Sequence, residues 1–239
     1  MFSILPLLLA CHQDLKPDDT ADSGGDDTDE TADTTDTTDS ADSTDSGDTA
    51  DSTDTGGSTL ESCQRWFPVD LEGATWTYKT PTGGTVYFAA GGAEVWEGVK
   101  AQRLDIGGEG PPSVQYFECA SEGLRLVGIV RVGDPEDLTL TLDPPMLFLP
   151  REVRAGDSWQ SPATLTLRGG GTDQVLDVTV SGSFAKPVEV GVPAGTFIGT
   201  PFIFQFGAEA VPPIQLALVE DVGAVLAETG LELVSWDFP

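Results

Sequence analysis

A single histidine, His12, occurs in the 239 residues, and it lies beside the N-terminus. The rest of the chain therefore has no imidazole for a Ser-His-Asp triad, a histidine-ligated zinc or a histidine general base. Cations are scarce too, with 11 Lys and Arg against 40 Asp and Glu and a formal charge of -29. Nucleic acid binding draws on counterion release by clustered Lys and Arg, so a nucleic acid partner is excluded. Metal spacings of the CxxC or HExxH type, the phosphate loop and the dinucleotide fingerprint are all missing. Carboxylate pairs such as Glu94 with Glu97 or Glu220 with Asp221 could be drawn for a glycosidase, but a chain this acidic offers many such pairs. The expectation is a protein that is not an enzyme and needs no metal or cofactor.

No apolar run reaches the roughly 20 residues that a membrane-spanning helix needs. The run that exists, Met1–Ala10 (MFSILPLLLA), is about half that length and ends in Leu8-Leu9-Ala10-Cys11. A short apolar core, small residues and then a cysteine resemble the signal peptide and lipobox of bacterial lipoproteins. The resemblance implies cleavage before Cys11 and acyl chains on that residue, so the membrane is a partner through lipid alone. Two or more chains give stable anchoring where one gives only marginal binding. The n-region has no Lys or Arg, which a start codon assigned too far downstream would explain. An Asp after the cysteine is the inner-membrane retention signal of the enteric sorting rule, and His12 stands there instead. The implied location is the bacterial cell envelope, at the outer membrane, on either its periplasmic or its surface face.

Residues 11–59 cannot bury a core. Sixteen of the acids and one base fall between His12 and Thr59, and an aspartate recurs every third residue from Asp33 to Asp54. Low hydrophobicity with like charge predicts a disordered, extended spacer. As a flexible coil it would span roughly 35 to 42 Å, and repulsion lengthens it further. A period of three places the aspartates along one face of a polyproline II helix. The closing bidentate Glu of a calcium loop is absent, so diffuse counterion attraction is expected there.

From Leu60 to Pro239 the composition changes. Forty acids less those sixteen leave 24, against 10 bases, and all five Trp and all three Tyr lie in this segment. Short β-branched and aromatic runs alternate with Gly-rich turns such as Thr82-Gly83-Gly84 and Gly169-Gly170-Gly171. Alternation is plain where Val175, Asp177 and Thr179 interleave with Leu176, Val178 and Val180. No helix-period segment stands out. The fold class expected for residues 60–239 is all-β: a single antiparallel open barrel, half-barrel or sandwich of about eleven strands. Glu94–Ile106 reads as one strand, and no strand is read between Phe184 and Phe197 or between Val219 and Leu231.

With Cys11 acylated, Cys63 and Cys119 remain as an even pair in a compartment where disulfides persist. Joined, they would close a loop that the chain-entropy model values at about 4 kcal/mol. The alternative is two separately buried thiols, which thiol titration distinguishes.

Phe67-Pro68-Val69-Asp70-Leu71-Glu72-Gly73-Ala74-Thr75-Trp76-Thr77-Tyr78 resembles the opening of an uncharacterised group of secreted and lipid-anchored bacterial proteins. Three later segments are similar to further motifs of that group: Val153–Trp159 to a second Gly-x-x-Trp turn, Val192–Phe197 to a Pro-x-Gly-Thr-Phe strand entry, and Glu220–Val225 to a Val-Gly-x-Val hairpin. The resemblance implies an open half-barrel like that of periplasmic lipoprotein carriers, whose concave face can accept acyl chains. It carries over no functional residue.

Read from the residues alone, Gly73 and Gly156 aim Trp76 and Trp159 into a core. Phe202, Phe204 and Phe206 share one strand face, which is either core or, in an open half-barrel, the possible ligand face. Two roles are therefore expected for a non-catalytic envelope lipoprotein. The first is a structural or protein-interaction module with an envelope protein partner. The alternative is a binder or carrier of lipid or another apolar ligand.

Overall fold

A computed structural model describes residues 63–133, 137–169, 173–207, 213–227 and 229–239. Cys11 and the spacer through Thr59 lie outside the described residues.

Thirteen strands form: β1 Thr75–Lys79, β2 Thr85–Trp96, β3 Val99–Gly108, β4 Ser113–Ala120, β5 Gly123–Arg131, β6 Leu138–Pro150, β7 Ser158–Arg168, β8 Gln174–Phe184, β9 Val188–Val192, β10 Gly195–Phe206, β11 Ile214–Val219, β12 Gly223–Ala227 and β13 Glu232–Asp237. Each neighbouring pair is antiparallel, and no helix occurs among the described residues. The strands run in order around the sheet, β13 returns to β1, and β10 pairs with both β8 and β11. Twelve strands thus close into a barrel, with β9 as an addition on β10.

The all-β, antiparallel expectation holds, with differences of detail. The sheet is closed where a half-barrel would be open, because Thr75–Lys79 pairs with Glu232–Asp237 and Thr200–Phe204 pairs with Ile214–Leu218. Closure pairs every strand of the ring with a neighbour on each side for at least part of its length. Two strands go beyond the eleven expected. β9 continues the line of β8 along β10 after a break at Ala185–Pro187, and β12 is a five-residue strand entered through Gly223. Glu94–Ile106 is split between β2 and β3 by Glu97 and Gly98, whose φ angles of 47° and 81° suit a type I′ hairpin turn.

The two halves of the ring repeat one plan. Gly73 donates its amide to Ala90 while Ala90 donates to Ala74; Gly156 donates to Phe184 while Phe184 donates to Asp157. Both glycines sit at positive φ, +90° and +94°, which a side chain rarely adopts. Further on, hairpin β4–β5 has a register shift at Tyr116/Phe117 and hairpin β11–β12 has one at Ala217/Leu218.

Eight strands make a barrel whose own side chains just fill it, so twelve enclose a wider lumen. Aromatic side chains fill this one. Phe117, Phe184, Phe202, Phe204 and Phe206 are all buried, and Phe148 touches Phe117, Phe202 and Phe204. The remaining gap at one end is closed by the segment leading into β1. Phe67 and Val69 from this segment are buried in the same cluster, with Phe67 against Phe117 and Phe148. The segment acts as a plug across the barrel mouth. It is bonded to Cys119 beside the β4–β5 turn and to Asp221 in the β11–β12 turn, which lie on opposite sides of the ring.

Candidate functional site

The plug is fastened at several points. Cys63 and Cys119 are joined in a disulfide, with Cα atoms 5.8 Å apart. Gln64 donates from Nε2 to the Pro150 carbonyl at 2.6 Å, and the Asp221 amide donates to the Arg65 carbonyl at 2.7 Å. The Arg65 guanidinium reaches Asp221 and, at 2.9 Å, Glu220. Its pKa is raised, first by the hydrogen bond to Asp221. Asp70 accepts from the Cys63 amide at 2.6 Å. Cys63, Asp70 and Cys119 bring metal-ligating atom types within 4.8 Å of one another, but both sulfurs are committed to the disulfide.

Three of the carboxylates that the sequence made available for acid-base pairing, Glu94, Glu220 and Asp221, face arginines. Glu220 and Asp221 both face Arg65, and Glu94 lies 3.9 Å from Arg103, which also holds Asp105 at 2.7 Å. Glu97 sits in the turn at the tip of hairpin β2–β3. These pairs neutralise charge at the barrel mouth, through Arg65, and on the β2–β3 hairpin, through Arg103.

Trp76 and Trp159 serve the wall. β12 and β13 share only the pair Leu226 opposite Glu232, and along the stretch where they part Trp76 Nε1 donates to the Val222 carbonyl at 2.6 Å. Two residues along β1, the buried Tyr78 hydroxyl donates to the Ala224 carbonyl at 2.9 Å, and burial pushes its pKa up. On the far side of the ring β6 and β7 pair only from Thr139 to Asp143. Pro144 and Pro145 follow with no amide proton to offer, and the strands separate. There Trp159 Nε1 donates to the Leu147 carbonyl at 3.2 Å.

The expected ligand face is packed. Phe202, Phe204 and Phe206 are 0%, 1% and 4% exposed. Phe202 stacks on Trp159 and Phe184, and Phe204 meets Phe206 edge to face. Of the three, only Phe204 borders open space, an apolar cavity of about 60 Å³. Phe67, Phe117, Phe148, Leu216 and Leu231 contribute to its lining, and Gln115 is the polar member. Sixty cubic ångströms is about two water volumes, too little for an extended acyl chain. A second, open trough lies on the outer wall, where Ser158, Gln160, Ser181, Ser183, Ile203 and Gln205 from β7, β8 and β10 meet.

One grouping had no signal in the sequence. Ser113 and Arg131 face each other across β4 and β5, with Gln115 two residues from Ser113 on the same side. Polar residues on a lumen-facing row break the alternation that marks a buried face, so reading along the chain passes over them.

No family model matches the chain, and no curated relative does. Among solved structures the chain is similar to a candidate lipoprotein from Parabacteroides distasonis, with a TM-score of 0.33 and 13% identity over 74% of this chain and 100% of that one. At this level no property of that protein transfers.

Proposed function

We propose that the chain is an anchored and stalked envelope protein, held in the outer membrane through acyl chains on Cys11, whose barrel acts without catalysis as a structural or protein-interaction module. The observation that carries this reading is the filled lumen. Phe202, Phe204 and Phe206, the side chains available for an acyl-binding face, are buried against one another and against Trp159, Phe148 and Phe184. A barrel that offers its interior little room is left with its outer wall to present. That wall carries the uncharged trough over β7, β8 and β10, and exposed apolar side chains at Ile198 and Val234. A spacer of 48 residues lets the wall meet partners away from the bilayer.

A second reading, favoured by the cavity beneath Phe67, is a binder of a small apolar ligand. Native mass spectrometry before and after organic extraction, with crosslinking in intact cells, separates the two. The first reading expects a bare protein and a recurring crosslinked partner. Mass lost on extraction, with no recurring partner, would replace it with the second.

A further inference from the structure

We infer that the trough on the outer wall over β7, β8 and β10 is a binding site for a neutral oligosaccharide. This rests on the reading that the barrel presents its outer wall, and it names the chemistry that one part of the wall takes.

The strand register builds the trough. Ser158, Ser183 and Ile203 stand in one row across β7, β8 and β10, and Gln160, Ser181 and Gln205 stand in the next. Between the rows, Trp159, Gly182 and Phe204 belong to the opposite face, with the Trp159 indole turned inward onto Phe202. On the outer side, the middle strand therefore offers two serines and bare backbone, while Gln160 on one flank and Ile203 and Gln205 on the other reach further out. This makes β8 the floor of a groove whose walls stand two strand spacings, about 10 Å, apart. The trough measures about 540 Å³, within the range of roughly 300–1,000 Å³ typical of small-molecule sites.

The side chains over this floor are hydroxyls, amides and one isoleucine. They give an anion no cation to meet, the loop sequence after Gln205, residues 208–212, holds no Lys or Arg, and 24 acids against 10 bases in residues 60–239 repel one. A wholly apolar ligand would strip water from the hydroxyls and amides without replacing its hydrogen bonds, which is costly. A neutral polar ligand fits. Each serine hydroxyl donates and accepts, and each glutamine amide has two donors and an acceptor, the mixture that sugar hydroxyls match in return. Ile203 offers an apolar contact to the C–H face of a sugar ring. A polypeptide strand docks by main-chain pairing at a sheet edge. That mode is closed here, because β8 is paired on both sides along the trough, through Ser181 and Ser183 with β7 and with β10.

The test uses the full chain carrying Cys11→Ser, which removes the acylation site. It is screened on an array of neutral gluco-, galacto-, manno- and N-acetylglucosamine oligomers with uronic acid oligomers beside them, and the strongest binder is titrated by calorimetry. A neutral oligomer is expected to bind and the uronic acid oligomers not to. Gln160→Ala and Gln205→Ala should each weaken binding by about fivefold, as loss of one neutral hydrogen bond does. Ser181→Leu, which fills the floor, should abolish it, and Ser183→Leu serves if that variant fails to fold. Val95→Ser, at an exposed position near the tip of hairpin β2–β3, should leave it unchanged. Binding that survives the floor and glutamine variants, or that prefers the uronic acid oligomers, would overturn the site. If no neutral oligomer binds, the site also falls; a recurring protein partner crosslinked in intact cells would then keep the outer-wall reading, and its absence would remove that reading too.

Discussion

Trp159 and Leu147 hold the barrel together where its strands do not. The indole Nε1 donates to the Leu147 carbonyl at 3.2 Å, and the Leu147 amide donates to Ser161 Oγ at 3.0 Å. Two side chains of β7 thus satisfy the backbone of β6 across the gap after Pro144 and Pro145. Trp159→Phe keeps an aromatic ring against Phe184 and Phe202 but strands the carbonyl. An unsatisfied buried acceptor costs about 1–3 kcal/mol, so the urea midpoint should fall accordingly, with Ser161→Ala costing a similar amount. A Trp159→Phe variant with wild-type stability would show that the hydrogen bond bears no part of the seam.

Glycine is required where the tryptophans lie. A Cβ on Gly182 would come within 2.2 Å of the Trp159 indole, and one on Gly128 within 2.3 Å of the Trp96 ring and 2.4 Å of the Leu140 carbonyl. Trp96 stacks on Tyr116 at 4.6 Å over that opening. Gly182→Ala and Gly128→Ala should each destabilise by about 1–3 kcal/mol, the range for forced overpacking. Gly191→Ala is the control, because a Cβ there meets nothing within 4 Å; it should stay within about 0.5 kcal/mol of wild type. Equal effects at all three sites in denaturant unfolding would mean that backbone entropy, and not the indoles, sets the cost.

Alternation made most of the wall legible in the sequence, because a strand with one face in a core writes its period into the chain. It placed Phe202, Phe204 and Phe206 on one face correctly and left open what that face meets. The answer depends on Phe148, Trp159 and the plug residue Phe67, which are remote in sequence. β9 and β12 escaped because each is five residues long, and Gly191 and Gly223 interrupt or open them. Closure of the ring rests on β1 meeting β13, and nothing local in Trp76 or Trp236 announces that they stand opposite each other. Ser113 and Arg131 were illegible for the opposite reason: their polarity disguises the face they occupy.

The Cys63–Cys119 bridge ties the plug, not the wall. Replacing both cysteines by serine should cost about 2–5 kcal/mol, the usual range for losing a native disulfide. Hydrogen exchange would say where. The Asp221 amide, bonded to the Arg65 carbonyl, is expected to lose protection by local release of the plug. Amides of the β3–β4 ladder, such as that between Leu104 and Gln115, should keep theirs apart from the global decrease. Uniform loss across both sets would mean that the plug and the ring unfold as one unit.

Tyr78 makes stability fall at alkaline pH. Its hydroxyl is buried and donates to the Ala224 carbonyl, so ionisation would place an anion in the core without the proton that makes the bond. Burial raises its pKa in the fold, while an unfolded tyrosine titrates near 10. A folded-state pKa above the unfolded value means the contribution is complete below about pH 10 and is lost progressively as pH rises beyond it. Tyr78→Phe should therefore cost about 1–3 kcal/mol at pH 7 through the unsatisfied Ala224 carbonyl. The gap between variant and wild type should narrow in urea unfolding curves taken from pH 9 to 11. Tyr116, whose pKa is raised first by desolvation and then by Glu94, titrates in the same direction, so Tyr116→Phe is the parallel variant. It sits in the outer cluster with Ala101 and Val127, donates to no wall carbonyl, and should show little loss at pH 7. If Tyr78→Phe kept a constant offset from wild type through pH 11, the alkaline limb would belong to other groups.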